Sequence, residues 1–156
     1  MIKQFFLFSL LCVLINMVSA QTSMHVADSF HIKSDGWWDY IFVDTASNKL
    51  FVSHGTQVNV LDKNNGDSLG VIPGTIGVHG IALVHNLNKG FTSNGRLNNV
   101  FVFDLNTLQI TDSIATGKNP DAIFYDEYSR KIITCNGGSK DISVIDPSTN
   151  KVVPFT

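Results

Sequence analysis

The chain has 156 residues, of which 44% are hydrophobic and 15% charged, and its formal net charge is −2 at pH 7. It contains no basic run and no acidic tail, which argues against nucleic acid or an anionic membrane as the main partner, because both bind clustered positive charge. One of its two cysteines, Cys12, lies in a predicted signal segment, so Cys135 is left without a partner for an internal disulfide.

Residues 1–20 are typical of a secretory signal peptide. Lys3 supplies a positive charge, residues 5–15 are almost entirely apolar, and small or apolar residues lead up to Ala20. The apolar run is too short to span a bilayer comfortably. We therefore expect cleavage between Ala20 and Gln21 and an exported protein, periplasmic or extracellular, that is not an integral membrane protein.

Residues 21–35 predict an N-terminal outer strand and a lead-in to the rest of the chain. The strand is expected over residues 24–32 (MHVADSFHI). No hairpin partner adjoins it in the sequence, so we expect it to pair with a sheet elsewhere in the fold.

Three motifs then recur at a spacing of about forty-one residues. The first occupies residues 58–62 (VNVLD), 100–104 (VFVFD) and 142–146 (ISVID). The second occupies residues 53–55 (SHG), 93–95 (SNG) and 135–137 (CNG). The third occupies residues 41–44 (IFVD), 82–85 (ALVH) and 123–126 (IFYD). Repeats of this length, built from short strands, are typical of a β-propeller with one blade per repeat.

Each repeat predicts one blade of four antiparallel strands. The predicted repeats are residues 36–76, 77–117 and 118–156 within the region 36–156, and the last can be incomplete. A propeller normally has four to eight blades. The sequence therefore predicts an all-β fold with about three blades of a partial propeller, whose inner strands (81–84 and 122–125) are covered on both faces.

Six polar residues recur where a strand meets a turn, and we interpret them as structural, because aspartate side chains accept backbone N–H bonds in such turns. They are Asp44, His85 and Asp126 after the inner strands, and Asp62, Asp104 and Asp146 before the outer hairpins. Residues 62–67 superficially resemble a calcium loop, but Pro73 stands where a bidentate glutamate is needed. We interpret them as a hairpin turn.

The order of four strands per blade predicts that two kinds of loop share one rim. They are the loops between the second and third strands and the loops that enter each inner strand, around the mouth of the central channel. This rim collects the candidate ligand-binding residues Trp37, Asp39, His54, His79, Arg96, Asn119 and Asp121. His54 corresponds to Asn94 and Asn136 in the other repeats, which favours a loop-capping role at all three positions.

Each candidate has a structural alternative. Trp37 and Trp38 can stack on a ligand, but we favour packing between blades. Arg96 can clamp a carboxylate or phosphate, or pair with an aspartate such as Asp121. Residues 119–121 are expected to form a rigid turn.

No metal site is predicted. His54 and His79 are weak candidates for metal ligands, because a loop histidine more often bonds the backbone. Cys135 has no partnered base, and the sequence contains no nucleophile elbow, phosphate loop, CxxC pair or HExxH motif. No catalytic residue and no cofactor are therefore predicted.

The repeats resemble those of the YncE-like, or YVTN-repeat, β-propeller proteins from about His25 to the end. The resemblance depends mainly on residues 77–82 (GVHGIA), 90–96 (GFTSNGR) and 117–122 (GKNPDA). It implies a bacterial, exported protein, and a complete propeller of seven blades of which this chain is the N-terminal portion. Residues 24–32 would then complete the last blade. The family has no shared catalytic constellation to carry over.

The favoured function is an exported, non-enzymatic binding or scaffold module, with an unknown small ligand or a protein partner at the rim. The alternative is part of a propeller enzyme, either a metal-, quinone- or haem-dependent oxidoreductase or a lactonase-like hydrolase. Three blades also expose apolar blade faces, which a soluble monomer rarely tolerates. We therefore expect missing blades of the same protein, or self-association, to cover them.

Overall fold

The computed structural model describes residues 24–34 and 36–154, so the predicted signal peptide lies outside the described residues. Within that part, twelve strands form three four-stranded antiparallel sheets, which we call blades 1, 2 and 3, and in each the neighbouring strands are consecutive in sequence. Blade 1 contains β1 (Trp38–Val43), β2 (Lys49–His54), β3 (Gln57–Asp62) and β4 (Ser68–Pro73). Blade 2 contains β5 (Val78–Val84), β6 (Lys89–Asn94), β7 (Asn99–Asp104) and β8 (Ile110–Ala115). Blade 3 contains β9 (Pro120–Asp126), β10 (Lys131–Asn136), β11 (Asp141–Asp146) and β12 (Lys151–Val153).

This arrangement confirms the predicted all-β fold of a partial propeller. Each sheet lies within one of the three predicted repeats. No helix in the described part is long and apolar enough to cross a lipid bilayer.

The hydrophobic core lies between the blades rather than inside any one of them. Between blades 1 and 2 the buried cluster includes Phe51, Val60, Ile72, Leu83 and Phe103. Between blades 2 and 3 it includes Phe91, Val102, Ile123, Ile132 and Ile145. The strands supply these side chains from alternate positions, as a pleated sheet requires. A blade is therefore stabilised mainly by its neighbours.

The prediction that the inner strands are covered on both faces is correct only for blade 2. Residues 81–84 of β5 are buried, but β1 is mostly exposed, with Ile41 at 67% and Val43 at 50%. In β9, Phe124 is 50% exposed although Ile123 is buried. Blade 2 alone has a blade on each side, and this accounts for the difference.

The aspartates at the turns have the predicted structural role. Asp62, Asp104 and Asp146 each accept a hydrogen bond from the backbone N–H two residues later, at 2.8 to 2.9 Å. These bonds stabilise the carboxylate form, and all three pKa values are lowered. Residues 62–67 form the expected hairpin turn between β3 and β4.

Asp44 is buried and also accepts a bond from His85 of the neighbouring blade, at 3.0 Å. Burial raises the pKa of Asp44, but hydrogen bonds from Ser47 and Ala46 and the nearby His85 outweigh burial, so this pKa lies below its ordinary value. The residue therefore links blades 1 and 2.

No residue between 24 and 34 is in a strand within the described part. The strand predicted over residues 24–32 would pair with a blade outside the described residues, so it stays a prediction. The segment packs on the face of blade 1 that is turned away from blade 2. A Cβ at Gly66 would lie 2.5 Å from Cγ of Phe30, so the absence of a side chain there lets the ring lie on the turn.

Candidate functional site

Each inner strand begins with a β-bulge at the same rim. In β1, β5 and β9, two residues oppose one on the adjacent strand, and the first of the two is Asp39, His79 or Asp121. A bulge redirects side chains locally, and bulges are frequent beside functional sites. Three of the predicted site residues therefore occupy one equivalent position in the three blades.

Serine side chains support two of these bulges, a role that the sequence analysis did not identify. Ser53 and Ser93 are the residues opposite the bulges in blades 1 and 2. Their hydroxyls accept the backbone N–H of Tyr40 at 2.7 Å and of Gly80 at 2.9 Å. Both serines belong to the recurrent motif of residues 53–55 and 93–95, so their repeated position could have indicated this role. The equivalent residue in blade 3 is Cys135.

His79 lies between the two carboxylates. Its Nδ1 is 2.6 Å from Oδ2 of Asp39 and 3.9 Å from Oδ1 of Asp121, so side chains from all three blades meet at this point. All three side chains are between a quarter and a half exposed. With Nδ1 protonated, the histidine donates to Asp39 and leaves Nε2 for a ligand.

Arg96 lies beside this cluster, at the edge of a cleft of about 420 Å³. Five of the predicted residues line the cleft: Trp37, Asp39, His79, Arg96 and Asn119. A Cβ at Gly77, which has φ of +69°, would lie 2.6 Å from Cγ of Arg96, so glycine allows the arginine to cross close to the backbone. The alternative that Arg96 pairs with Asp121 is wrong, since Arg96 forms no ion pair within the described residues.

The two tryptophans differ in their surroundings. Trp38 stacks on the ring of His54, with centroids 3.7 Å apart and an interplanar angle of 11°. Trp37 is 84% exposed, so the favoured interpretation that it packs between blades is wrong for this residue. An exposed indole at the edge of the cleft is available to stack on a ligand.

His54 is buried at the position that Asn94 and Asn136 occupy in the other repeats, but its side-chain hydrogen bond goes to the N-terminal segment and not to its own hairpin. Its side chain is fully buried, and its Nδ1 is 2.6 Å from Oγ of Ser34, which also accepts a bond from Asn59. Asn94 and Asn136 are likewise buried and donate within their own β-hairpins. His54 therefore does not line the rim cleft. Among residues 24–34 and 36–154, no three histidine, cysteine or acidic side chains are grouped to hold a metal ion.

Asn119 lies in the bend before β9, whereas Pro120 and Asp121, which were predicted to belong to the same turn, begin the strand. Asn119 has φ of +53°, its N–H donates to Oδ1 of Asn98 at 2.8 Å, and its carbonyl accepts the N–H of Gly137 at 2.9 Å. These bonds hold the entry to β9 against blades 2 and 3, so Asn119 shapes the cleft through its backbone.

The inner strands also line a second cleft, of about 360 Å³, along the channel surface. Its walls come from β1, β5 and β9, and the buried Asp44 and the half-exposed His85 lie at the end away from the rim. These two side chains contact each other at 3.0 Å, and the acidic residue Glu127 also lines this cleft.

No protein-family model matches this sequence, and no curated protein matches it significantly. Solved structures do match. The hydrazine synthase of Kuenenia stuttgartiensis is similar with a TM-score of 0.70 and 19% identity, over 83% of this chain and 38% of that one. The WD40 β-propeller domain of Doa1 is similar with a TM-score of 0.63 and 11% identity, over 75% of this chain and 39% of that one. The RRP9 WD40 repeats are similar with a TM-score of 0.66 and 13% identity, over 75% of this chain and 37% of that one.

At these identities the similarity concerns the fold alone. The chain spans less than two fifths of the length of each of these structures. WD40 and other propeller domains are thus the structural neighbours of this chain, and its three blades are part of a β-propeller.

Proposed function

We propose that this chain is an exported, non-enzymatic binding module whose ligand occupies the rim cleft. The ligand carries an acidic group, supplied either by a small molecule or by a side chain of a partner protein. The observation that supports the proposal is the convergence of three blades on one cleft that also holds an exposed arginine and an exposed tryptophan.

Arg96 is the group in the cleft that favours an acidic ligand. Its guanidinium forms no ion pair within the described residues, whereas Asp39 lies 2.6 Å from Nδ1 of His79. A guanidinium group binds carboxylate or phosphate in a bidentate manner, and Trp37 can stack on a planar group beside it. Nothing in this arrangement supplies a nucleophile with a base, so a binding role is favoured over catalysis.

Titration of the chain beginning at Gln21 with benzoate and with phenyl phosphate tests this proposal. Both tryptophans of the chain lie at the rim, so their fluorescence reports on the cleft directly. We expect a saturable change in fluorescence with at least one of the two probes. The substitution Arg96→Gln should weaken binding by about tenfold or more, because a hydrogen bond to a charged group contributes about 1.5 to 3 kcal/mol.

Arg130→Gln is the matched control, because Arg130 is an exposed arginine in the turn between β9 and β10, away from the rim. It should bind the probes as the unsubstituted chain does. Equal affinity in the Arg96→Gln variant, or no saturable binding of either probe, would contradict the proposed site.

The export in this proposal is supported by the signal-like sequence of residues 1–20. The resemblance to YncE-like proteins supports the same location and a binding role.

A further inference from the structure

The rim cleft contains a carboxylate as well as an arginine, and the two do not pair. Among the described residues that line it, Asp39 and Arg96 are the two aspartate, glutamate, lysine or arginine side chains. They form no ion pair with each other, so their charged atoms are more than 4.0 Å apart. Two opposite charges that share a cleft without contact can each bind a separate group of one ligand.

Asp39 keeps the capacity to bind a cationic group although it contacts His79. A carboxylate accepts hydrogen bonds on two oxygens. Oδ2 of Asp39 is 2.6 Å from Nδ1 of His79, and no hydrogen bond from another described residue reaches Oδ1. The side chain of Asp39 is 39% exposed, so a ligand in the cleft can reach it. An ammonium group is the donor that a carboxylate binds most strongly after a guanidinium.

The carboxylates around His79 weaken the binding of a ligand that carries negative charge alone. Asp121 is 3.9 Å from Nδ1 of His79 and its side chain is 46% exposed, so it remains a solvated negative charge beside the cleft. Like charges repel a bound anion, and a positive group on the same ligand offsets this repulsion. A ligand with charges of both signs therefore matches the cleft better than a simple acid.

The two charges are held on different elements, which separates their binding partners. Asp39 contacts Nδ1 of His79, whereas a Cβ at Gly95 would lie 2.8 Å from Nε2 of the same ring. Because Arg96 follows Gly95, the imidazole ring lies between the Asp39 carboxylate and the backbone that carries the arginine. A ligand fits best when its own charged groups are several bonds apart. The exposed indole of Trp37 favours a planar body between them.

From these observations we propose that the ligand of the rim cleft is a small zwitterion with a planar body. Its acidic group binds Arg96, its ammonium group binds Asp39, and its planar body stacks on Trp37. The cleft volume of about 420 Å³ is within the range of small-molecule sites. This inference rests on the proposed function and deepens it, because the acidic group becomes one of two charged groups that the cleft recognises.

Isothermal titration calorimetry of the chain beginning at Gln21 with three matched probes tests the inference. The zwitterion is 4-(aminomethyl)benzoate, 4-ethylbenzoate replaces its ammonium with a methyl group, and 4-methylbenzylamine replaces its carboxylate with a methyl group. We expect the zwitterion to bind about tenfold more tightly than either other probe, because each of these lacks one charge-assisted hydrogen bond.

The three probes separate failure of this inference from failure of the proposed function. If 4-ethylbenzoate binds as tightly as the zwitterion, the ammonium is not recognised, which overturns this inference and leaves an acid-binding site. If 4-methylbenzylamine binds as tightly as the zwitterion, or if no probe binds, the acidic group is not recognised and both proposals are overturned.

The substitution Asp39→Asn identifies the group that binds the ammonium. Asparagine keeps an oxygen that can accept the bond from His79, but it removes the negative charge. The variant should bind the zwitterion no more tightly than 4-ethylbenzoate. Its binding of 4-ethylbenzoate should not weaken, and this shows that the variant is folded. A preference for the zwitterion that survives Asp39→Asn would overturn the inference.

Asp67→Asn is the matched control, because Asp67 is an exposed aspartate in the turn between β3 and β4, at the other end of the strands from the rim. It removes the same charge from the chain and should keep the roughly tenfold preference for the zwitterion. If Asp67→Asn abolishes the preference as Asp39→Asn does, the ammonium responds to the overall charge of the chain, and the contact with Asp39 is overturned.

Discussion

At the scale of single residues, Asp146 shows how a turn lowers the pKa of its carboxyl group. Its Oδ1 accepts bonds from the hydroxyl of Ser148 at 2.5 Å and from the backbone N–H of Ser148 at 2.9 Å. These bonds, followed by the bond from Lys131, lower the pKa of Asp146 from 3.8 to about 2. The carboxylate thereby holds the turn between β11 and β12.

The substitution Ser148→Ala should raise the pKa of Asp146 toward 3.8, because it removes the hydroxyl donor that contributes most. A lowered folded-state pKa adds stability that is present above the unfolded value of 3.8 and is lost as the pH falls toward about 2. The pH dependence of stability between these values should therefore become smaller in the variant.

An NMR titration of the Asp146 carboxyl carbon, with urea unfolding at several pH values, measures both effects. Thr149→Ala is the control, since it changes the adjacent exposed turn residue and should leave the titration unchanged. If Asp146 titrates at the same pH with and without the Ser148 hydroxyl, the hydrogen bond is not the cause.

The sequence predicted single residues well where the role is local. The turn aspartates depend on bonds within a few residues, so the repeated positions identified them. His54 instead bonds Ser34, and its repeated position did not predict that contact. The packing predicted for Trp37 and the pairing considered for Arg96 were wrong, because exposure at the rim depends on how separate blades meet. Spacing in a sequence does not carry that information.

At the scale of elements, Gly90 shows how two strands fit a neighbouring blade. It is the second residue of β6, where β2 has Leu50 and β10 has Ile132. It lies opposite Phe103 in the strand register, and a Cβ at this position would overlap the Phe103 ring. That ring is fully buried and packs on Phe51 of blade 1, with centroids 5.9 Å apart.

The substitution Gly90→Ala should destabilise the chain by about 1 to 3 kcal/mol, because the enclosed ring cannot move away from the added methyl group. Urea unfolding followed by circular dichroism measures the change. Gly137→Ala is the control, because a Cβ there meets only the Asn119 amide at 3.4 Å and the backbone needs no positive φ. It should change stability by less than about 1 kcal/mol. Equal stability of the two variants would show that the ring can relax.

The strands of the three repeats were predictable because each finds its partner within one hairpin. The strand predicted over residues 24–32 has no partner strand within the described part, so it stays a prediction. Ser34 makes its polar contacts with His54 and Asn59 instead, through its side chain. The competing outcome, packing on an open blade face, depends on tertiary structure alone.

At the scale of the whole molecule, the fold follows from the repeat, but exposure follows from the number of neighbours each blade has. Blade 2 is enclosed, and its inner strand is buried from Val78 to Val84 apart from His79 at the rim. The outer blades keep the same alternation of side chains with one face open. The sequence predicted this imbalance in general terms, but not that residues 24–34 cover part of it.

Expression of the full chain in a bacterial host with an export pathway should yield a protein that begins at Gln21. We expect residues 1–20 to be removed, because the small residue Ala20 ends a signal-like segment. Intact mass spectrometry of the exported fraction measures the resulting decrease in mass. The substitution Ala20→Arg should block processing, whereas Ser23→Ala beyond the cleavage position should not. An exported protein that keeps its first residue, or cleavage elsewhere, would contradict this prediction.

The bulge that begins every inner strand has a consequence for how such a rim can change. It fixes the backbone by bonds that do not involve the side chains of Asp39, His79 and Asp121 themselves, since hydroxyls across the strand satisfy the displaced N–H groups in blades 1 and 2. The positions that hold the backbone, Ser53 and Ser93, are therefore different from the positions whose side chains form the rim surface. Each added blade would contribute one further variable position to the same circle, so a repertoire of binding specificities can arise by substitution at one position per repeat.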